Sequence, residues 1–228
     1  MMAEQRNGNF VCVTGANKGS TMNLFDTNLS DIFQAVGRPS PQLGGGAVSI
    51  LSALLGLSLI RLALVGSVSE EGNDIARAVE TLDRLTDRMK ECAKADVEAF
   101  HEYVAALKLP EGGKDQVEFR DRQLLTATRK AVDIPLDCSS LVVEALDLAA
   151  LSSRHVQPDI VSDLYAGASI LNGALGGMFA TLDINLKQAR MQEVRDELKP
   201  LRAEILGKRG SAMKNISDLA AAGGYILP

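Results

Sequence analysis

The feature that most constrains the fold is a stripe of mainly apolar residues between Asp74 and Leu107, spaced alternately three and four positions apart. Side chains with this spacing share one face of an α-helix, whereas a strand would alternate every second residue. The stripe consists of Ile75, Val79, Leu82, Thr86, Met89, Ala93, Asp96, Phe100, Tyr103 and Leu107. The segment therefore predicts a long amphipathic helix whose apolar face needs other helices to cover it.

Helical spacing continues through most of the chain, and no segment reads convincingly as a strand. We predict helices over about 30–36, from the glycine triplet 44–46 to about 65, and over about 74–107, 114–151, 159–182 and 185–206. Pro135 should bend or interrupt the fourth of these helices. The predicted fold is an all-α, single-domain helical bundle with long helices.

The 228 residues suit one domain. Residues 1–21 are polar and rich in Gly and Asn, so we expect a flexible N-terminal tail followed by a helical domain over 22–228.

Charge and cysteine content exclude several classes of protein. The net charge of −5 argues against a nucleic-acid partner. Cys12, Cys92 and Cys138 are odd in number and far apart in sequence, so neither a disulfide framework nor a zinc site is supported. The N-terminus lacks the basic and apolar pattern of a signal peptide. A cytoplasmic protein with reduced cysteines is expected.

The segment from Ala47 to Val65 is nearly as long and apolar as a membrane span. It contains Arg61 and has no flanking basic clusters or aromatic belt. A central helix buried on all sides gives the same pattern. We therefore predict a buried helix and no membrane association.

Two aspartates, Asp96 and Asp163, are candidate functional residues because of their positions in the predicted helices. Asp96 lies in the apolar stripe, where a carboxylate is costly unless it is paired. It is either a functional acid or a group paired with a lysine or a helix end. Asp163 lies in the first turn of the predicted 159–182 helix, where the macrodipole favours an anion. It is either a catalytic acid or a residue that only stabilises the helix.

Small residues mark two further places. Gly167, Ala174 and Gly177 lie on one face of the 159–182 helix together with Asp163 and Ile170, and would let another helix or a flat ligand come close. Gly44, Gly45 and Gly46 precede the apolar helix without a capping side chain. Free amides there could hold an anion or a carbonyl, although a flexible loop explains the triplet equally well.

Five motifs in order, over roughly residues 28–206, resemble the formiminotetrahydrofolate cyclodeaminase and methenyltetrahydrofolate cyclohydrolase family. The first is Pro39-Ser40-Pro41-Gln42-Leu43-Gly44-Gly45-Gly46, similar to the family's Ser-Pro-x-Pro-Gly-Gly-Gly. The others are Asp96-Val97-Glu98-Ala99-Phe100 with Leu107-Lys108-Leu109-Pro110, then Ala131-Val132-Asp133-Ile134-Pro135-Leu136, Ile160-Val161-Ser162-Asp163 and Asp183-Ile184-Asn185-Leu186-Lys187.

The resemblance implies a mainly helical homodimer that binds folate in a cleft near the subunit contact and needs no metal. The substrate would be a tetrahydrofolate derivative. The reaction is either hydrolysis of 5,10-methenyltetrahydrofolate to 10-formyltetrahydrofolate or elimination of ammonia from 5-formiminotetrahydrofolate.

By motif position, the resemblance makes Asp163 the acid/base and Asp96 a second polar group of the same pocket. The Gly44–Gly46 loop would contact the ligand, and Asn185 and Lys187 would help bind it. Arg61 would supply a positive charge to the ligand, or pair structurally with Asp96 or Asp163.

Two alternatives stay open. Where the family carries lysines that can meet the anionic folate tail, this chain has Glu70-Glu71, which would repel that tail. This favours either a divergent member with a less anionic substrate or a non-catalytic helical dimer that binds a ligand or a partner protein.

Overall fold

The computed structural model describes residues 24–38, 43–68, 73–188 and 191–227. Across these ranges the chain forms six α-helices, one 3-10 turn and no strand, which confirms the predicted all-α fold. The helices are α1 Leu29–Val36, α2 Gly45–Val65, α3 Asn73–Leu107, α4 Lys114–Ser152, α5 Val161–Leu186 and α6 Gln192–Ala222, with the 3-10 turn at Ser153–His155.

The chain divides into two compact units, Met1–Gln42 and Leu43–Pro228. Helix α1 belongs to the first unit and is capped by Asn28, whose Oδ1 accepts from the Asp31 N–H at 3.0 Å. The second unit is the bundle of α2 to α6. The predicted tail over residues 1–21 lies outside the described residues, so its boundary stays a prediction.

Helices α2 and α5 form the tightest contact of the bundle, and glycines make it possible. A Cβ added to Gly56 would lie 2.9 Å from the Gly167 carbonyl oxygen, and one added to Gly167 would lie 2.7 Å from the Gly56 oxygen. Gly177 likewise lies directly against the Ser49 hydroxyl. The small-residue face predicted on α5 therefore receives a helix, and Gly167 and Gly177 set how closely that helix approaches.

The prediction that the apolar helix is buried on all sides is wrong. Ten residues of α2 are buried, but Leu55, Leu62 and Val65 on the opposite side are exposed. In the part of the chain that the structure describes, α2 is the one helix long and apolar enough to cross a membrane. Helices α3, α4 and α5 leave one side of it uncovered.

The predicted interruption at Pro135 does not occur, because α4 continues from Lys114 to Ser152. Proline has no N–H, so the carbonyl of Ala131, four residues earlier, loses its helical partner. The Asn185 side chain on α5 replaces that partner, since its Nδ2 donates to the Ala131 oxygen at 2.9 Å. A contact from another helix therefore stabilises the proline-containing turn.

The predicted ends of the last two helices are also wrong. Helix α5 runs to Leu186, and Arg195 then caps it by donating from Nε to the Leu186 carbonyl at 3.0 Å. Helix α6 continues to Ala222, well past the predicted end at residue 206. Arg209 in its second half donates to Asn172 Oδ1 of α5 at 2.6 Å, which anchors the extension to the bundle.

Candidate functional site

Because α2 and α5 are antiparallel, the predicted site residues fall at two ends of this helix pair. A Cβ on Gly45 would lie 3.3 Å from Thr181 Oγ1, so the start of α2 meets the last turns of α5. At the other end, Gly66 lies against Ile160, just before α5 begins. We call the first of these the glycine end; it comprises Gly44–Gly46, Asp96 and residues 181–187.

Asp96 reaches the glycine end from α3. Its Oδ1 would lie 2.7 Å from a Cβ on Gly46, so any side chain there would displace the carboxylate. The Ala47 backbone N–H donates a hydrogen bond to the Asp96 carboxylate. The first amides of a helix have no partner within the helix, and Asp96 supplies one from outside. Of the roles considered for Asp96, the pairing with a helix end is therefore present.

Burial dominates the electrostatics of Asp96. Removal from water raises the pKa of its carboxyl to about 6, and the opposing effect of the Ala47 N–H is smaller. No ion pair involves Asp96 within the described ranges. A carboxyl with a pKa near neutrality can both accept and return a proton at physiological pH, as a general acid/base must. Asp96 thus combines a structural contact with the proton affinity of a catalytic group.

The last turn of α5 contributes Asn185 and Lys187 to the glycine end. The Asn185 amide is engaged by the Ala131 carbonyl, as described above. Lys187 follows the last residue of α5 and is exposed, with its N–H bonded to the Asp183 carbonyl at 3.1 Å. The exposed Lys187 side chain therefore places a positive charge at the rim of this end, where it helps to lower the pKa of the Asp183 carboxyl.

Sequence reasoning missed the ion pair that fixes this turn. Both guanidinium nitrogens of Arg202 on α6 bond the Asp183 carboxylate, which lowers the pKa of Asp183. The Arg202 guanidinium carbon also lies 5.0 Å from the centre of the Phe179 ring. Asp183 belongs to one of the five motifs, whereas Arg202 lies near the end of the last predicted helix, and nothing in the sequence links the two residues.

Asp163 lies at the opposite end of the helix pair. It is in the first turn of α5, partly exposed, and its N–H bonds the Ile160 carbonyl at 3.1 Å. The helix from Asp163 to Thr181 is about 27 Å long at 1.5 Å per residue. The expectation that Asp163 and Asp96 line one pocket is therefore wrong within a single chain, because the two helices run antiparallel.

Arg61 pairs with neither of its expected partners. Its Nε bonds Asp83 Oδ1 of α3 at 2.6 Å and its Nη2 bonds Oδ2 at 3.2 Å. Both side chains are nearly half exposed, so this is a surface pair with little effect on stability. The expectation of an Arg61 contact with Asp96 or Asp163 is wrong, since Arg61 is paired instead with Asp83 through Nε and Nη2.

A cavity of about 310 Å³ opens between the start of α3 and the end of α4, away from the glycine end. Arg77, Thr81, Leu148 and His155 are among the residues that line it. None of the predicted site residues borders this cavity. Within the ranges that the structure describes, no group of three His, Cys, Asp or Glu side chains gathers as a metal site would require.

The fold and the glycine end define an all-α bundle in which a glycine-packed antiparallel helix pair carries a half-buried carboxylate at one end. The family model of formiminotransferase-cyclodeaminase matches residues 28–203, and the chain belongs to this family.

Two individual proteins are similar to this chain in sequence. Chicken formimidoyltransferase-cyclodeaminase is 28% identical over 194 residues, which cover 81% of this chain and 36% of the relative. Methenyltetrahydrofolate cyclohydrolase of Methylorubrum extorquens is 27% identical over 187 residues, covering 78% of this chain and 88% of the relative. The chain thus spans about a third of the length of the chicken protein and most of the bacterial one.

A solved structure has the same fold. Formiminotetrahydrofolate cyclodeaminase of Thermotoga maritima superposes with a TM-score of 0.70 at 19% identity, over 87% of this chain and 100% of that chain. This similarity supports the bundle architecture independently of the sequence motifs.

Proposed function

We propose that the chain is an enzyme that converts a one-carbon unit on tetrahydrofolate at the glycine end. The observation that carries this proposal is Asp96, a half-buried carboxyl with a pKa of about 6 against the first turn of α2. The first candidate reaction is hydrolysis of 5,10-methenyltetrahydrofolate, favoured because the match extends over 88% of a bacterial cyclohydrolase.

For the hydrolysis, the Asp96 carboxylate takes a proton from water as the water oxygen bonds to the methenyl carbon. The resulting tetrahedral carbon carries a hydroxyl group between N5 and N10. Protonated Asp96 then donates to N5 as the bond from carbon to N5 breaks, and the hydroxyl proton leaves to solvent. The product is 10-formyltetrahydrofolate, with one proton released overall. A positioned carboxylate contributes about 10²–10⁴ to the rate of such steps.

The second candidate is the cyclodeaminase reaction, favoured by the fold shared with the Thermotoga maritima enzyme over its full length. N10 attacks the formimino carbon, and the carboxylate accepts the N10 proton. The same group returns a proton to the departing amine, which leaves as ammonia and closes the methenyl ring. One acid/base with a pKa near neutrality serves both reactions.

We further propose that the protein is a homodimer that associates through α2 and α5. Exposed residues on α2 include Leu55, Leu62 and Val65, and the exposed stripe of α5 contains Gly173 and Gly176. Two helices about 30 Å long and about 10 Å wide offer about 600 Å² per copy. This lies at the upper end of the largest apolar patch on a typical monomer and approaches the area that a specific dimer buries per partner. The exposed Arg61–Asp83 pair at its edge favours a protein partner over lipid.

A two-fold dimer gives Asp163 a role that a single chain does not. With the axis near the middle of α5, Asp163 of the partner subunit would approach the glycine end of this chain. The site would then combine Asp96 and Lys187 of one copy with Asp163 of the other. We propose that this composite site binds the folate in the cytoplasm, without a metal.

The test follows the absorbance of 5,10-methenyltetrahydrofolate with wild type, Asp96→Asn and Asp87→Asn. Asp87 is an exposed aspartate on the same helix, paired only with Lys90, so its variant controls for charge removal. Wild type and Asp87→Asn should accelerate decay equally, and Asp96→Asn should lose most of the rate. No acceleration by wild type would eliminate the cyclohydrolase reaction, and ammonia release from 5-formiminotetrahydrofolate then tests the second candidate.

A further inference from the structure

Two cysteines that are 46 positions apart in sequence are neighbours in the fold. Cys92 on α3 and Cys138 on α4 lie level with each other in this antiparallel helix pair, between the Lys130–Glu102 ion pair and the cavity at the start of α3. Cys138 is fully buried, whereas Cys92 is half-buried and in partial contact with solvent. Two thiols that face each other across a helix pair, one accessible and one enclosed, are arranged as an attacking and a resolving cysteine are.

We propose that Cys92 and Cys138 form a reversible disulfide, in which Cys92 meets the oxidant and Cys138 closes the bond. Both residues are free thiols in this structure. The expectation of reduced cysteines without a disulfide framework rested on their odd number and their distance in sequence, and the packing of α3 on α4 removes that distance for Cys92 and Cys138.

The charges around the pair assign these two roles. The neighbouring Cys138 thiol lowers the pKa of the Cys92 thiol, and Arg88 adds to this effect, whereas burial, Asp137 and Asp96 oppose it. The same contact and its deeper burial raise the pKa of Cys138. Cys92 therefore holds the larger thiolate fraction, and the thiolate is the form that reacts with an oxidant.

With a peroxide as oxidant, the reaction balances in two steps. The Cys92 thiolate attacks one peroxide oxygen, the O–O bond breaks, and Cys92 becomes a sulfenic acid, while the departing hydroxide takes up the proton that the Cys92 thiol lost on ionisation and leaves as water. Cys138 sulfur then attacks the Cys92 sulfur, the S–O bond breaks, and a second water departs with the Cys138 proton. Two thiols lose two electrons in total, and hydrogen peroxide gains them.

The disulfide would lie one helical turn from Asp96. Cys92 and Asp96 are four residues apart on α3 and share a face, and Asp96 influences the charge state of both thiols. A bond from Cys92 to Cys138 would fix α3 on α4 directly below the glycine end. Oxidation would then change the position and mobility of the Asp96 carboxylate without chemically altering any residue of the glycine end.

The experiment oxidises the folded full-length protein with hydrogen peroxide and maps its peptides by mass spectrometry. A Cys12→Ser variant runs in parallel, so that only the two contacting thiols remain. We expect a peptide containing Cys92 linked to one containing Cys138 in both proteins, and its loss on treatment with dithiothreitol. The cross-link closes a loop of nearly fifty residues and should raise Tm by about 5–10 °C.

A Cys138→Ser variant separates the two roles. Without the resolving thiol, Cys92 should stop at the sulfenic acid and be trapped by dimedone, and the rise in Tm should disappear. The proposal is overturned if peroxide leaves both thiols reduced in the folded protein, or if Cys92 in wild type goes to a dimedone adduct or sulfinic acid without the link. These readouts do not involve folate, so the proposed enzymatic activity can fail while this result stands.

Discussion

At the scale of single residues, Asp96 illustrates a conflict between stability and reactivity. Burial raises its pKa to about 6, whereas the unfolded chain gives an aspartate near 3.9. The folded state therefore binds the proton more tightly than the unfolded state does. The contribution of the Asp96 carboxyl to the free energy of unfolding is fully present below about pH 4 and is lost as the pH rises through about 6. Above that pH the ionised carboxylate destabilises the fold.

Asp96→Asn should consequently stabilise the protein at pH 8, by about 1–3 kcal/mol, while it removes activity. Asparagine keeps an oxygen for the Ala47 N–H and carries no charge to bury. Thermal melts of both proteins from pH 4 to pH 8 measure the effect, and the difference in Tm should grow with pH. A constant difference across this range would show that Asp96 does not titrate as described.

The activity of wild type should report the same carboxyl. A base that must be ionised to accept the first proton makes kcat/KM rise with pH through the pKa of that base in the free enzyme, which is about 6 for Asp96. Initial rates in buffers of equal ionic strength, extrapolated to zero buffer, measure the profile. A limb near pH 4 instead would place the essential base in an exposed, unshifted carboxyl.

Gly46 offers a second residue-scale prediction. In Gly46→Ala the new Cβ would lie 2.7 Å from Asp96 Oδ1, so the carboxylate must move away from Ala47. We expect a loss of about 1–3 kcal/mol in stability and about tenfold or more in kcat. Gly44→Ala is the matched control for stability, because nothing lies within 4 Å and its backbone is extended. Equal stability losses in both variants would contradict the close contact.

At the scale of the helices, the proline-containing turn of α4 depends on α5. Asn185→Leu would leave the Ala131 carbonyl without a donor, at a cost of about 1–3 kcal/mol. In a Pro135→Ala background the new N–H bonds that carbonyl within the helix, so the same change should cost less. Urea unfolding of the two single variants and the double variant measures this coupling.

The same set of variants separates two roles for Asn185. A structural role predicts that Asn185→Leu lowers stability and that Pro135→Ala reduces the loss. A role in folate binding predicts a raised KM that Pro135→Ala leaves unchanged. Additive stability losses in the double variant would mean that the two residues act independently.

Helix positions were predictable from the sequence where apolar residues recur at helical spacing, as in α3, or run almost continuously after a glycine triplet, as in α2. The errors lie where a distant side chain decides the outcome. Asn185 lets α4 pass through Pro135, and Arg209 secures the half of α6 beyond the predicted end. Periodicity describes one face of one helix, so it carries no information about a donor supplied by another helix.

At the scale of the whole molecule, the sequence predicted which carboxylates stand out but not where they lie. The position of Asp96 in an apolar stripe marked it as unusual, and the structure explains it through Gly46 and Ala47. Asp163 was assigned to the same pocket because motifs were read as a set. The distance between Asp96 and Asp163 depends on whether the packed helices run parallel or antiparallel, and the sequence alone does not show this direction.

The exposed face of α2 and α5 makes a prediction about assembly. Leu62→Glu should put a charge in the proposed interface and shift the protein toward monomer, as measured by sedimentation velocity. Leu151→Glu on α4 is the control, since Leu151 is 76% exposed and lies outside that face. If the wild-type protein is monomeric at micromolar concentration, the proposed dimer is wrong. If the wild-type protein also floats with lipid vesicles, the exposed face of α2 and α5 binds a membrane instead of a second copy.

The composite site can be tested by mixing Asp96→Asn with Asp163→Asn, each of which should be inactive alone if both carboxylates act in one site. If Asp96 and Asp163 act from different subunits, a hybrid of Asp96→Asn with Asp163→Asn has one site that lacks both carboxylates and one that keeps both. Random exchange makes half of the dimers hybrid, so activity should recover to about a quarter of wild type. If both residues belong to one chain, every site in the hybrid carries one substitution and activity stays at the level of the separate variants. The two variants are refolded together in one sample, and in the reference sample they are refolded separately and then combined. Both samples contain the same side chains and differ only in which subunits pair, so a difference in activity reports the composite site.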